Sequence, residues 1–195
     1  MEFSDVVRSR RSIRSYSSER PDPGLVDELI DVARRVPTAG FSQGIDFLVI
    51  DDPAALADFW RLAGGDMEPD DPPVLVLVFA DPERYLERYR APDKVEFGLG
   101  DAEAWPVKFW DVDAAMAAMQ LQLAAVDAGL GTWFFGVGDG IDAIRERFGV
   151  PDDRSHIGIV ALGHRHPDEE PVGSATKRRR RPLADQLHRN GWGRG

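Results

Sequence analysis

Residues 74–79 read Val-Leu-Val-Leu-Val-Phe, a continuous β-branched and aromatic run without a polar break. Such a run predicts a strand buried on both faces, because no alternate position can be given to water. It therefore demands covering layers. Phe47–Ile50, Thr132–Gly136 and Ile157–Gly163 predict further strands. Helices are expected between them. Residues 2–10 read as a short helix. Leu25, Leu29, Ile30, Ala33 and Val36 follow helical spacing, with Pro37 ending that helix. Asp51-Asp52-Pro53 opens another, and residues 139–148 suit one more. Residues 111–128 are apolar on most sides, which places a helix at the centre of a domain or in a subunit interface. Gly129-Leu130-Gly131 caps it. The alternation predicts a mixed α/β or α+β layer structure. Without internal repeats or an interior linker, residues 1–195 are expected to form one domain, with 164–195 as an extended C-terminal arm and one or two helical turns at 182–188. Residues 90–108 read as a long loop, a common place for binding segments.

The chain has 195 residues, enough to bury a core without staples. It has no cysteine, which excludes disulfides, Cys-ligated zinc, thiol catalysis and iron–sulfur clusters. The opening Met1-Glu2-Phe3-Ser4-Asp5 lacks the build of a signal peptide, and no apolar run approaches membrane-spanning length. A cytoplasmic protein without a membrane partner is expected. The formal net charge of −10 argues against a nucleic-acid binder.

Against that acidic background, residues 1–20 and 177–181 hold 10 of the 24 Lys and Arg. The first cluster is Arg8, Arg10, Arg11 and Arg14, interleaved with Ser12. The second is Lys177-Arg178-Arg179-Arg180-Arg181 before Pro182-Leu183. Guanidinium forks beside a short hydroxyl are suitable donors for a phosphate, so a local anion site competes with a plain solvated basic face. If the two ends meet, they could clamp one phosphorylated ligand. Pro37-Thr38-Ala39-Gly40-Phe41-Ser42-Gln43 joins a helix end to a strand start with small and amide-bearing residues. It is either a simple turn or a surface for a flat ring whose polar edge Gln43 bonds. Gly131 and Gly136 flank a strand and permit close backbone approach to a ligand. Trp105, Lys108, Phe109 and Trp110 could stack on a flat substrate and attract an anion, or pack at an interface between subunits; Lys94 is a weaker candidate in the same region.

Other chemistry is poorly supported. His164 and His166 lack an acidic pair and read as solvated, and His156 and His188 are isolated. Asp66, Glu68, Asp70 and Asp71 lack the spacing of a calcium loop, so no metal is expected. No Gly-x-Ser-x-Gly elbow occurs. No Gly-x-Gly-x-x-Gly follows a strand, so NAD(P)H is expected only as a transient substrate.

The opening Arg10-Arg11-Ser12-Ile13-Arg14-Ser15-Tyr16, the Pro37-Thr38-Ala39-x-x-x-Gln43 turn, the Gly129-Leu130-Gly131-Thr132 strand, Gly163-His164 and the Arg-Arg-Pro-Leu ending stand in an order that resembles the FMN-dependent nitroreductase family over nearly the whole chain. The resemblance implies a mixed β-sheet flanked by helices and an intimate homodimer with two FMN in its interface. By motif, Arg10, Arg11 and Ser12 hold the FMN phosphate, with Arg178 and Arg180 from the tail. Arg14 sits near flavin N1 and O2, where a cation stabilises the reduced anion. Pro37, Thr38 and Ala39 line the ring, Gln43 meets its polar edge, and backbone around Phe134, Phe135 and Gly136 faces the dimethylbenzene-to-N5 side. Phe41 joins Trp105, Lys108, Phe109 and Trp110 as substrate-pocket candidates. The family often has Asn where Phe41 stands and Pro-Trp where Gly44-Ile45 stand, which weakens the ring-edge assignments.

The resemblance implies an oxidoreductase that moves hydride from NAD(P)H through flavin N5 to nitroaromatics, quinones or similar flat electrophiles in a ping-pong cycle. No side chain is assigned as an obligatory acid or base. Two alternatives stand beside it. One keeps the fold with a deazaflavin or a specialised redox substrate. The other is a non-catalytic binding protein that uses its basic tail.

Overall fold

The computed structural model describes residues 1–68, 71–170, 172 and 174–193. Asp70 of the acidic patch therefore lies outside the described residues, as do Pro171, Gly173, Arg194 and Gly195 of the arm. Helices α1 (Phe3–Ser9) and α2 (Pro23–Ala33) lead into strand β1 (Ile45–Ile50). Then follow α3 (Pro53–Leu62), β2 (Val74–Ala80), α4 (Pro82–Arg90), α5 (Phe109–Asp127), β3 (Gly131–Phe135), α6 (Ile141–Phe148), β4 (Ser155–Gly163) and α7 (Ser174–Lys177). Among the described residues, no helix is long and apolar enough to cross a membrane.

The strands form one sheet in the order β1-β2-β4-β3, and every ladder is antiparallel. The parallel component of the expected mixed sheet is confined to a single bridge between Ser12 and Thr132. The α+β class holds. The run in β2 is explained by its place: it lies between β1 and β4, and both faces are covered. Val74, Val76 and Val78 join Val160 and Leu162 in a core with α2 and α5. Leu75, Leu77 and Phe79 join Ile159 and Ala161 in a second core with Leu56 and Phe59 of α3 and Ile144 of α6. The period-2 geometry of a strand thus divides one apolar run between two cores.

Helix starts follow side-chain chemistry. Asp22 and Asp52 accept backbone N–H groups of the first turns of α2 and α3, each with proline as the first helical residue. α2 ends at Ala33, three residues before the Val36-Pro37 step that the sequence marks as its end. α4 has the same Asp-Pro opening at Asp81-Pro82 and was not anticipated. Its buried Tyr85 and Leu86 pack into the core. The 90–108 segment is irregular but contains turns of 3-10 helix at Val95–Phe97 and Ala102–Ala104. Gly140 is required where α6 meets α3, because a Cβ there would lie 2.2 Å from the Leu62 carbonyl oxygen.

Helix α5 buries Ala114, Ala117, Ala118, Leu121 and Ala125 and leaves Val112, Met116 and Met119 exposed. With Met1 and Phe3 of the N-terminal segment, Val32 of α2, and Val36 and Pro37 beyond it, Met116 and Met119 line an apolar groove of about 550 Å³.

His156 packs against Phe79, with ring centroids 5.3 Å apart and neither ring nitrogen bonded. Burial, and secondarily the charge of Arg145, hold its pKa below the ordinary value. The unfolded chain therefore binds the proton more readily, and stability rises with pH in this range. Stability is expected to be complete above about pH 6.5 and to fall as pH drops toward the depressed value. His156→Phe should flatten that part of a urea-midpoint-versus-pH profile. An unchanged slope would remove His156 as its cause.

Candidate functional site

After α1 the chain enters the edge of the sheet. The Ile13 N–H donates to the Thr132 carbonyl at 2.9 Å, the Ser17 N–H to His164 at 2.9 Å, and the His166 N–H to Ser15 at 3.1 Å. Ile13 and Tyr16 enter the second core, and the Tyr16 hydroxyl donates to the Ile13 carbonyl at 2.7 Å. Burial, reinforced by Glu169 and opposed by Arg14, raises the Tyr16 pKa, so this phenol stays a donor. Buried residues thus alternate with polar ones, and Arg10, Arg11, Ser12 and Arg14 are carried on a fixed backbone. Gly131 has a structural task here rather than approach to a ligand: a Cβ would lie 2.9 Å from the Ile13 side chain.

The charges on this segment differ from those of the scaffold. Arg34, Arg35, Arg61, Arg88, Arg90 and Arg154 each pair with a carboxylate. Among the described residues, Arg10, Arg11 and Arg14 pair with none. Arg11 turns back onto the carbonyls of Arg8 and Arg10. Arg14 lies over the Trp133 ring, 5.2 Å from its centroid. Arg178 and Arg180 are exposed on the arm, and no described hydrogen bond or ion pair joins them to the first cluster. Within one chain the expected two-ended clamp is therefore not formed among the described residues.

The 37–43 segment is more than a simple turn. Gly40, Phe41 and Gln43 have φ of 64°, 57° and 54°. Left-handed backbone at the two non-glycine positions costs about 1–3 kcal/mol each. Besides its own backbone bonds, four hydrogen bonds that involve side chains hold it. The Ala39 N–H donates to Asp113 Oδ2 at 2.8 Å, and the Gln43 N–H to Thr38 Oγ1 at 3.0 Å. Ser42 Oγ donates to the Ala39 carbonyl at 2.6 Å, and Arg88 Nε to the Gly40 carbonyl at 2.9 Å. At about 0.5–1.5 kcal/mol each, these are of the size needed to offset the strain. The result displays Phe41, which is 74% exposed. Strained backbone fixed by surrounding structure is typical of ligand contacts.

Three supporting residues were missed in the sequence. Asp113 is only 3% exposed, and its Oδ2 also accepts the Tyr85 hydroxyl at 2.9 Å. Burial, then the Asp113 carboxylate, push the Tyr85 pKa up, which keeps that hydroxyl a donor. Arg88 reaches the loop from α4. The available signal was Asp113 among the few polar interruptions of a largely apolar helix, a group that must be bonded if buried.

The remaining candidates divide. Phe134 is partly exposed and lies over Gly158, where a Cβ would be 2.4 Å from its ring. Phe135 turns to the other face, into the second core. Gly136 is exposed, and a Cβ there would meet nothing within 4 Å. Trp105 and Trp110 correct the expectation of an aromatic stacking platform. They are 7% and 2% exposed and pack edge-to-face with each other and with Tyr85. Trp105 Nε1 donates to the Leu99 carbonyl at 2.8 Å. Only Lys108 and Phe109 of that group are exposed. Among the described residues, the 37–43 loop and the 10–14 segment make no hydrogen bond or ion pair with each other.

Asp113→Ala leaves a buried hydroxyl and the Ala39 N–H unpaired. It is expected to lower stability by about 1–3 kcal/mol in urea unfolding and to speed amide exchange at Ala39 and Gln43. Asp113→Asn keeps an acceptor and should do less. Equal exchange in all three proteins would contradict this role.

A sequence profile described as the nitroreductase family matches residues 7–164. A protein of Archaeoglobus fulgidus, named as a candidate NADH dehydrogenase/NAD(P)H nitroreductase, is 28% identical over 191 residues, covering 96% of this chain and 97% of that one. The FMN reductase (NADPH) of Bacillus subtilis is 25% identical over 190 residues, covering 95% and 72%. A candidate nitroreductase of Exiguobacterium sibiricum, solved in complex with FMN, superposes with a TM-score of 0.73 at 22% identity, covering 97% and 98%, which shows the shared fold. With more than three-quarters of its length inside the matched profile, the chain belongs to the nitroreductase family.

Proposed function

We propose that this protein is an FMN-dependent oxidoreductase that takes NAD(P)H as donor and a flat electrophile, such as a nitroaromatic or quinone, as acceptor. One observation carries the reading: Arg10, at the end of α1, and Arg14, on the sheet edge, flank Ser12 without the carboxylate partners that most scaffold arginines have. Cations left unpaired on a fixed backbone in an acidic protein suit an anionic cofactor. The names of relatives support the same reading. The Bacillus subtilis protein is an FMN reductase that uses NADPH, and the Exiguobacterium sibiricum fold neighbour holds FMN.

The donor set fits the group. Arg10, Ser12 and, once turned outward, Arg11 provide guanidinium and hydroxyl donors for a phosphate. Arg14 provides a cation for the pyrimidine side of the ring. The Pro37–Gln43 loop offers small residues and an amide on a rigid backbone, and Gly136 leaves the end of β3 open to a flat molecule. Bound FMN supplies the two-electron chemistry that accepts hydride from NAD(P)H and passes it to the acceptor. The residues bind, orient and exclude water, and Arg14 raises the reduction potential by favouring the anionic reduced form. One open face shared by donor and acceptor makes the cycle ping-pong. Phe41, Phe109 and Lys108 are the exposed side chains proposed to select the acceptor.

A second copy of the chain is the proposed cover for the apolar groove along α5. Exposed Phe3, Val32, Met116 and Met119 are unusual for a surface left in water. The groove is lined at its margins by Pro37, where the 37–43 loop begins, and by Phe3 of α1, the helix that leads into the basic segment.

The first test is the visible spectrum of the purified protein with the mass of whatever acid releases. Flavin bands and the mass of FMN are expected; a deazaflavin mass would keep the fold and change the cofactor, and no uptake of added FMN would overturn the reading. Arg10→Gln is expected to weaken FMN binding by about 10–100-fold, the worth of one charge-assisted bond, in a fluorescence titration. Unchanged affinity in both Arg10→Gln and Arg14→Gln would remove the anion-site argument.

A further inference from the structure

Arg14 and Trp133 form a contact that no motif requires. The backbone at Arg14 is fixed by the Ile13–Thr132 hydrogen bond, but its long side chain has one described partner, the Trp133 ring at 5.2 Å. The indole is itself held in place. It stacks on Phe135 with centroids 4.3 Å apart and planes 20° apart. Phe135 stacks on Trp60 at 5.9 Å and 6°. Trp60 meets Phe59 edge-on at 5.2 Å, and Phe59 is fully buried. The row runs from an exposed guanidinium to the second core, so the ring under Arg14 has little freedom to swing away.

The chemistry of the partner matters. A carboxylate would also fix a guanidinium, but it would cancel the charge and occupy the donors. An aromatic face attracts the cation through its quadrupole and leaves the positive charge and the N–H edge available. We infer that Trp133, backed by Phe135 and Trp60, is a positioning residue that orients Arg14 toward the bound anion while keeping it uncompensated. This rests on the reading of Arg14 as the cation beside the cofactor. It goes beyond that reading in naming the residue that sets where the cation points and, through it, the electron affinity of the site.

The test uses Trp133→Met, which keeps apolar volume and removes the π face, Trp133→Phe, which keeps a smaller one, and Arg14→Gln. In FMN-free protein, the Arg14 Nε–Hε proton, assigned by its loss in Arg14→Gln, is expected upfield from the ring current of Trp133. It should return to the random-coil position in Trp133→Met and stay partly upfield in Trp133→Phe. In FMN-loaded protein, Trp133→Met should raise the FMN dissociation constant about three- to tenfold. It should also lower the midpoint potential in the same direction as Arg14→Gln, with Trp133→Phe restoring most of both.

The outcomes separate the two ideas. If Arg14→Gln shifts the potential and Trp133→Met does not, the positioning role is overturned while the cofactor reading stands. If the wild type takes up no FMN, the cofactor reading fails and the proton shift alone decides whether Trp133 orients Arg14. A random-coil position in the wild type overturns the inference outright, even if Trp133→Met does not fold.

Discussion

Three backbone hydrogen bonds, from Ile13 to Thr132, from Ser17 to His164 and from His166 to Ser15, make the basic segment part of the sheet edge. Everything proposed for this protein depends on that pairing. A free arginine-rich terminus would give up backbone and side-chain entropy each time it gripped an anion. Here that ordering is done on folding, by burial of Ile13 between the arginines and of Tyr16 just after them. The cations then wait in place, and preorganised charge acts on a ligand without further rearrangement.

The 37–43 loop follows the same logic with different means. Its strain is local, at Phe41 and Gln43, and the restraint comes from two other elements: the buried Asp113 on α5, and the buried Tyr85 and partly exposed Arg88 on α4. Asp113 links them, since one oxygen accepts both the loop and the Tyr85 hydroxyl. A buried carboxylate is tolerable only when so bonded. Helix α5 therefore has three roles: it packs on the sheet, anchors the loop through Asp113, and offers Met116 and Met119 to the apolar groove.

Much of the frame was legible in the sequence because it depends on local pattern. The β2 run, the Asp-Pro start of α3 and the glycine cap after α5 are each decided within a few residues. The order of the motif segments also carried the family. What escaped depends on distant contacts. Trp105 and Trp110 look like a stacking platform in one dimension, but α4 folds Tyr85 and Tyr89 against Trp105 and makes it core. α4 itself lay in a charged stretch, where only Tyr85, Leu86 and Tyr89 mark an apolar face. Gly131 was legible as a close approach, but not its neighbour, Ile13, which is more than a hundred residues away. Asp113 was visible only as an interruption in an apolar helix, and the Arg14–Trp133 contact left no trace in spacing.

The central claim is that the ordered basic segment is a phosphate site of a flavin enzyme. Titration calorimetry of the cofactor-free protein with FMN and with riboflavin tests it most directly, since the two ligands share a ring and differ by the phosphate. Two or more charge-assisted contacts to that group make FMN bind at least about a hundredfold more tightly. Equal affinity for the two, or binding of neither, would contradict the account.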